Sequence, residues 1–284
     1  MVQLPQNDKD LIFILNVGTI EEPVTRDYLG LSGIGEKCYR RIQYGWHFAS
    51  PRTIPVRTKR IYDLGNILED IAVKDLESKG IQIVNQQLEV IGFGGHWKGH
   101  IDGEATKVPA APIVKHLLEV KSMADKYFQA LAKNGLEESN PKYYDQMQSY
   151  MNHGEYERGL FVAYNKNTSA YYTERIYPDH DRQRALRKKE SDICMADSLY
   201  PRIGNNKPEW YECKLCGQQA VCFAQVEISH NCRTCEHVDI FEGCVWQCTR
   251  DHKNRTLPEQ LKGCEHYQKA ELFITIKDVA NGNT

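Results

Sequence analysis

Glu119 and Lys121 stand two residues apart in LLEVKS, Leu117 to Ser122, at the end of an apolar run. In an extended chain side chains alternate, so the two charges share one face while Leu118 and Val120 share the other. A strand emerging at the surface shows the same alternation, and an exposed Glu and Lys then make only a weak solvated pair. The other reading is chemical, and it needs further acids nearby. Asp102 in GHIDG and Glu69 in GNILED are the candidates. Three carboxylates massed at one place repel one another unless a cation neutralises them. Oxygen donors of this kind favour Mg2+ or Mn2+, which keep several waters and share themselves with phosphate oxygens. A lysine beside such an ion orients or deprotonates an attacking water while the ion polarises the phosphate.

The elements that must position these residues follow from periodicity. Ile61, Leu64, Leu68, Ile71 and Leu76 recur at helical spacing, which predicts an amphipathic helix from about Thr58 to Lys79, ended by Gly80, with that stripe in the core and Glu69 on the helix. IQIVNQQLEVIGF and HWKGHIDG read as a hairpin through Gly94 and Gly95 that ends in Asp102. The polar segment EATKVPAA reads as a connection into the strand PIVKHLLEVK, so Asp102 and Glu119 fall near the ends of successive strands. ADKYFQALAK and PKYYDQMQSYMNH are predicted helices, the second carrying Gln146 and Tyr150; RGLFVAYN and SAYYTERIY are a strand pair, and a polar helix runs from about Asp181 to Ser198. The pattern is that of an α/β protein.

With 284 residues, 41% of them hydrophobic, the chain can form one large domain or two modest ones with a proper core. Its 36 Lys and Arg against 38 Asp and Glu give no global positive field. Locally, RTIPVRTKR from Arg52 and RQRALRKK from Arg182 are basic stretches that either track phosphates or are solvated surface. Near the N-terminus only Leu11 to Leu15 is apolar, which fits neither a signal peptide nor a membrane span, so the expected compartment is the cytoplasm. There a reducing environment leaves the ten cysteines free to bind metal. No P-loop, tandem repeat or low-complexity tract is present, and the tail after Asp278 is expected to fray.

From Trp210 onward the chain becomes a cysteine-rich appendix, with eight of the ten cysteines between Cys213 and Cys264. Cys213 and Cys216 in CKLC, with Cys222, supply three thiolates from a compact loop and need a fourth ligand. A second group, Cys232, Cys235, Cys248 and Cys264, reads as a zinc site, because a CxxC pair followed by two spaced ligands suits tetrahedral closure. Cys244 and His266 are rivals for its last places, and Cys194 is assigned no metal role.

The order of these segments resembles the PD-(D/E)XK nucleases, and within them the RecB-type and phage exonuclease branch. The matching residues are Asp102 in GHIDG, Glu119-Val120-Lys121 in LLEVK, Gln146 and Tyr150 in QMQSY, and Gly65 followed four residues later by Glu69 in GNILED. The resemblance covers about Leu31 to Tyr177 and part of the cysteine region; Ile101 stands before Asp102 where the pattern has proline. It implies a central mixed sheet flanked by helices. It makes Asp102 and Glu119 metal ligands together with the Val120 main-chain carbonyl, Lys121 the partner of the nucleophilic water, and Glu69 a further ligand where many relatives use histidine. Gln146 and Tyr150 would position the phosphate backbone or the lysine.

SGIGEKCYRRIQY is similar to a motif of iron-sulfur RecB-type nucleases, which implies Cys38 as the fourth ligand of the first thiolate group, followed by Arg40 and Tyr44. The implied cofactor there is a [4Fe-4S] cluster, with zinc as the alternative. Similar cysteine-rich tails accompany phage nucleases of this branch. The implied division is a nuclease domain over 1–209, a cysteine loop over 210–228 that closes a cluster with Cys38, a zinc-knuckle-like region over 229–270 and a tail over 271–284. The implied activity is metal-dependent hydrolysis of DNA phosphodiester bonds, as an exonuclease on DNA ends in phage or mobile-element recombination. A nuclease of CRISPR adaptation or of a helicase complex, and a catalytically silent DNA-binding protein on the same fold, are the alternatives. DNA is the expected partner, with a recombinase, a single-strand-binding protein or a helicase beside it, and no membrane. Arg40, Arg41, Arg57, Lys59 and Arg60 are the expected phosphate contacts.

Overall fold

Helix α1 (Lys9–Asn16) carries the apolar run from Leu11 and leads into strand β1 (Thr19–Glu21). The computed structural model describes residues 9–21, 25–109 and 111–274, so the fraying expected after Asp278 lies outside the described residues. Strand β2 (Leu29–Gly30) precedes helix α2 (Tyr39–Trp46), and β3 (Thr53–Pro55) pairs antiparallel with β1. Helix α3 (Val56–Ser78) starts directly after Pro55, and Gly80, at φ 85°, turns the chain out of it. Among the described residues no helix is long and apolar enough to cross a membrane.

The stripe predicted for the core of α3 is only partly there. Leu68 is buried and Leu76 packs on the core, whereas Ile61, Leu64 and Ile71 are exposed. A helix of 23 residues is about 35 Å long. Its second half lies on the sheet through Ala72, Val73 and Leu76, and its first half runs past the edge toward α1 and β3. Spacing identifies an apolar stripe, but a stripe is buried only where something covers it.

Strands β4 (Gln82–Val84), β5 (Glu89–Ile91), β6 (Trp97–His100), β7 (Gly103–Thr106) and β8 (His116–Met123) follow in turn. Helices α4 (Asp125–Ser139) and α5 (Pro141–His153) then connect to β9 (Gly159–Asn165), β10 (Tyr171–Ile176) and α6 (His180–Cys194). The central sheet has the order β10-β9-β8-β7-β4, with β8 and β9 parallel and the other pairs antiparallel. Strand β8 therefore lies in the middle, which is why Leu117 to Val120 is a continuous buried run. One face packs on α3 and the other on the core that contains Leu131, Met147 and Tyr150.

Two connections differ from expectation. The run IQIVNQQLEVIGF is not one strand: Asn85 and Gln87, at φ 52° and 59°, bend it, so β4 joins the central sheet and β5 joins the small sheet β2-β6-β5. The hairpin through Gly94 and Gly95 pairs β5 with β6. The segment predicted as a connection supplies β7, so Asp102 stands at the junction where the chain leaves one sheet for the other.

The C-terminal part contains α7 (Tyr211–Lys214), α8 (Gln219–Cys222), an antiparallel sheet of β11 (Val238–Phe241), β12 (Val245–Cys248) and β13 (Lys253–Arg255), and α9 (Leu257–Lys262). It shares its cores with the rest of the chain. Trp246 packs at 5.0 Å from Trp46, and Phe273 at 6.2 Å from Tyr44.

Candidate active site

Strand register brings the carboxylates together. Gly103 is opposite Leu118 in the antiparallel pair of β7 and β8, and one step back along the ladder sets Asp102 opposite Glu119. Asp102 Oδ2 accepts a hydrogen bond from the Val120 main-chain N–H at 2.7 Å, which fixes this acid against β8. Glu119 is fully buried, with Oε1 paired to the Lys121 ammonium and accepting from Gln146 Nε2 at 2.6 Å. Its Oε2 is buried with no hydrogen-bond partner among the described residues. Glu69, from α3, completes the group and is touched by Gln87 Nε2 at 3.4 Å.

Helix α5 supplies the opposite wall. Pro141 sits in its first turn, where the missing N–H costs nothing, and Tyr143, Gln146 and Tyr150 follow at spacings of three and four on one face. Gln146 holds Glu119, and the Tyr143 ring lies 5.6 Å from the Lys121 ammonium. Tyr150 is buried against β6, where a side chain on Gly99 would meet the Tyr150 ring at 2.5 Å. The back of α5 is fastened by buried Glu190, which accepts from Ser149 Oγ at 3.2 Å and from the Phe93 main-chain N–H at 3.0 Å, and contacts His153 Nε2 at 2.9 Å. Tyr143, Gln87 and Gly99 were not singled out from the sequence. Tyr143 was legible by helical spacing from Gln146; Gln87 and Gly99 carry no local signal.

The electrostatics follow from crowding in a dry place. Burial pushes the Glu69 carboxyl up to about 7, with Asp102 adding repulsion and Lys121 opposing it. Burial, then Asp102, raises Glu119 well above the usual carboxylate range against the pull of Lys121. Asp102 is raised by burial, opposed by Lys121 and by the Val120 N–H. Burial works against the charge on Lys121, yet Glu119 and Asp102 outweigh it and hold the ammonium above its ordinary value. Tyr150 is raised by burial and by Glu119, so its phenol keeps its proton. Three acids against one ammonium, with one carboxylate oxygen orphaned, is the donor chemistry of a hard divalent cation. Among the described residues no three His, Cys, Asp or Glu side chains are already closed about a point that could hold a metal ion.

The expected phosphate contacts divide. Arg40 is turned inward, donating to the Tyr200 carbonyl at 2.9 Å, and Arg60 donates to the Leu15 carbonyl at 2.7 Å at the end of α1. Lys59 pairs with Asp63, Arg57 is exposed, and Arg41 pairs with Glu36 at 2.9 Å while lining a cleft with Arg26, Arg52, Tyr28 and Tyr62. Tyr62 lies seven residues, two helical turns, before Glu69 and so on the same face of α3. The basic stretch from Arg182 serves the fold: Arg182 holds Asp145 through two bonds, Lys188 pairs with Asp192 at 2.7 Å, and Lys189 is buried on the Glu36 carbonyl.

The thiols form two groups. Cys38, Cys213, Cys216 and Cys222 line one small apolar cavity between the start of α2 and the α7–α8 loop. Cys216 Sγ accepts the Gln218 N–H at 3.4 Å, and burial, with Cys216 and Cys222 as neighbours, raises the Cys38 thiol. Cys232, Cys235, Cys248 and Cys264 line a second, more open cleft. Cys244 lies apart from it, buried with its thiol donating to the Gly95 carbonyl at 3.1 Å, so it is no rival ligand; His266 borders the cleft. Cys194 is buried beside Trp97 and joins neither group.

No family model matches the chain, and no curated protein matches it. Among solved structures, the alkaline exonuclease LHK-Exo from Laribacter hongkongensis is 16% identical, covering 60% of this chain and 87% of its own, with a TM-score of 0.46. A phage-related exonuclease from Haemophilus somnus 129PT is 15% identical, covering 58% of this chain and 91% of its own, with a TM-score of 0.37. At these identities and scores the likeness is one of general architecture and assigns no activity.

Proposed function

We propose that this chain is a Mg2+- or Mn2+-dependent nuclease of the PD-(D/E)XK type that hydrolyses DNA phosphodiester bonds and acts on DNA ends. The observation that carries the reading is the meeting of Asp102, Glu119 and Lys121 at one rim of the sheet, with Glu119 Oε2 buried and unpaired. Asp102, Glu119 and the Val120 carbonyl would hold the divalent ion, with Glu69 adjusting its coordination from α3. When bound, that ion polarises the phosphate and offsets charge on the leaving oxygen. Lys121, kept cationic by its acids, donates to the phosphate or to the attacking water and orients it. Gln146 holds Glu119 in line, and Tyr150, protonated, closes the wall behind it. The cleft of Arg26, Arg41 and Arg52 leads the strand along α3 toward Glu69. Cys38 and its three partners, which line one cavity, would hold a [4Fe-4S] cluster that fastens the start of α2 to the C-terminal loop.

The test is digestion of end-labelled linear DNA and closed circular DNA with Mg2+. Linear DNA is expected to be degraded and the circle left intact, with Lys121→Ala lowering the rate by about 10²–10⁴-fold. Equal residual activity in wild type, Lys121→Ala and Glu119→Ala would overturn the catalytic reading. Cutting of the circle would overturn the restriction to ends. Iron analysis of protein purified without oxygen tests the first thiol group, and zinc without iron there would overturn the cluster.

A further inference from the structure

The segment 229–270 has almost no apolar interior of its own. Its buried side chains are Asn231, Arg233, Thr234 and Gln260, all polar, together with Cys244 and Trp246, which belong to the core shared with Trp46 and Trp97. A region of this size without a hydrophobic centre needs another staple. All four thiols of its cleft are free.

The local backbone around them is prepared. Asn231 caps a short turn, its side-chain oxygen accepting from the N–H groups of Arg233 at 2.8 Å and Thr234 at 3.2 Å, while its own N–H reaches Thr234 Oγ1 at 3.3 Å. The turn ends with Cys235 Sγ accepting the His237 N–H at 3.5 Å. Cys248 closes β12 opposite Val238, and Cys264 follows Gly263, whose φ of 64° ends α9. Three separate segments thus deliver four sulfurs to one cleft. Arg250, Arg255 and Lys262 border it beside Glu259 and Glu265, and Arg255 is paired with Asp251, so the rim carries both signs.

Between the first two cysteines stands Arg233, 1% exposed, with its guanidinium 4.1 Å from the Phe48 ring, 4.2 Å from Trp246 and 5.0 Å from Trp46. It donates to the carbonyls of Trp46 at 2.9 Å and Asp27 at 2.8 Å and to Gln260 Oε1 at 2.7 Å. Its own carbonyl contacts His47 Nδ1 at 2.6 Å. Among the described residues no carboxylate is in salt-bridge contact with this plug, although Asp27 acts on it through space; its place depends on the backbone that carries it.

We propose that Cys232, Cys235, Cys248 and Cys264 bind one zinc ion, and that this ion fixes the turn that seats Arg233 in the aromatic cage of Trp46, Phe48 and Trp246. The metal is a clamp: it fastens the C-terminal segment to the end of α2 and takes no part in bond cleavage. Four soft thiolates that line one cleft, once drawn together about an ion, select zinc among abundant divalent ions. The proposal stands whether or not the chain cuts DNA, since it is read from metal content and tryptophan emission with no DNA present.

The experiment is metal analysis of the full chain, purified under reducing conditions, with zinc and iron counted separately. Wild type and His266→Ala are expected to carry one zinc per chain, Cys248→Ser and Cys264→Ser to lose it, and Cys222→Ser to keep it. Cobalt added to zinc-stripped wild type is expected to give thiolate-to-cobalt charge-transfer absorption, a readout that requires no variant to fold. Stripping zinc is expected to change the tryptophan emission of wild type, and Arg233→Met to retain zinc while losing that change. Wild type without zinc and without the cobalt absorption would overturn the site, as would zinc retained in both Cys248→Ser and Cys264→Ser. Iron lost on Cys264→Ser would overturn the choice of metal. An emission unaffected by stripping would overturn the clamp.

Discussion

The rim of the central sheet and the cysteine-rich segments bring their acids and their thiols together by opposite means. At the rim, Asp102 and Glu119 are 17 residues apart and are set opposite each other by the register of two paired strands. The backbone there is paired on both sides of β8 and the core beneath it is apolar, so the acids are held together at a cost in repulsion. In the thiol groups, Cys38 meets Cys213 to Cys222 across most of the chain, and Cys232 to Cys264 come from turns, a strand end and a helix end with polar packing between them. On the proposed reading, the acids of the first region are crowded together by the fold whether or not an ion is bound, and the thiols of the second would take their order from one.

That contrast can be broken by separating activity from stability. With Mg2+ present to offset Glu119 and Asp102 in place of the lost ammonium, Lys121→Ala is expected to lower DNA hydrolysis by about 10²–10⁴-fold while leaving the melting temperature near that of wild type. Cys248→Ser is expected to do the reverse, destabilising the fold by roughly 4 kcal/mol, as loss of a structural metal does, with cleavage per folded molecule little changed. If Lys121→Ala unfolds the protein, or Cys248→Ser abolishes turnover in folded material, the two regions are not distinct in this way.

A smaller effect sharpens the geometry of the rim. Gly99→Ala places a methyl against the Tyr150 ring, and the shift needed is expected to cost about 1–3 kcal/mol and to weaken cleavage through the displaced α5 wall. Thermal melting with a parallel rate measurement checks it. An unchanged melting temperature would mean that Tyr150 is not held as described.

Without divalent ions the rim acids all contribute to the pH dependence in one direction. Glu69, raised from 4.5 to about 7, binds more protons folded than unfolded over that interval, and Asp102 and Glu119 are raised in the same sense. Their contribution to the stability of the metal-free protein is therefore expected to fall as pH rises from about 4.5 through 7, against the opposite contribution of His47, lowered from 6.5 to about 4, and the stabilisation conferred by Mg2+ to grow over the same range. Melting curves of wild type and Glu69→Gln at several pH values, with and without Mg2+, isolate the contribution; a wild-type stability that climbs with pH relative to Glu69→Gln would contradict the crowding of acids at the rim.

The smallest expected effect concerns DNA binding. Arg26→Ala, in the cleft, is expected to reduce the salt slope of binding by about one, whereas Arg40→Ala, whose guanidinium serves the Tyr200 carbonyl, is expected to leave it unchanged. Equal slopes for the two variants would remove the cleft from the path of the strand.

Much of the rim was legible because its signals are local. Two charges on one strand face, a Gln and Tyr on one helix face, and a glycine pair closing a hairpin follow from period and turn chemistry, and the structure has elements at each place. What was not legible depended on partners distant in sequence. Strand β7 contains Gly, Glu, Ala and Thr, a poor strand sequence that becomes one because β8 and β4 stand on either side. The apolar stripe of α3 reads as core, yet Ile61 and Leu64 lie in the half that runs past the sheet, and Ile71 is exposed although its neighbours Ala72 and Val73 are covered. Arg40 and Arg60 read as free charge, and both are drawn to main-chain carbonyls. Composition likewise made Cys244 a rival ligand, although its thiol is committed to Gly95.

The most direct measurement is an anomalous difference map from crystals soaked in Mn2+. The expected result is a peak within coordination distance of Glu119 Oε2 and the Asp102 carboxylate, with Lys121 beside it. Linear DNA degraded by a protein whose map shows manganese elsewhere, or none at that rim, would contradict the account.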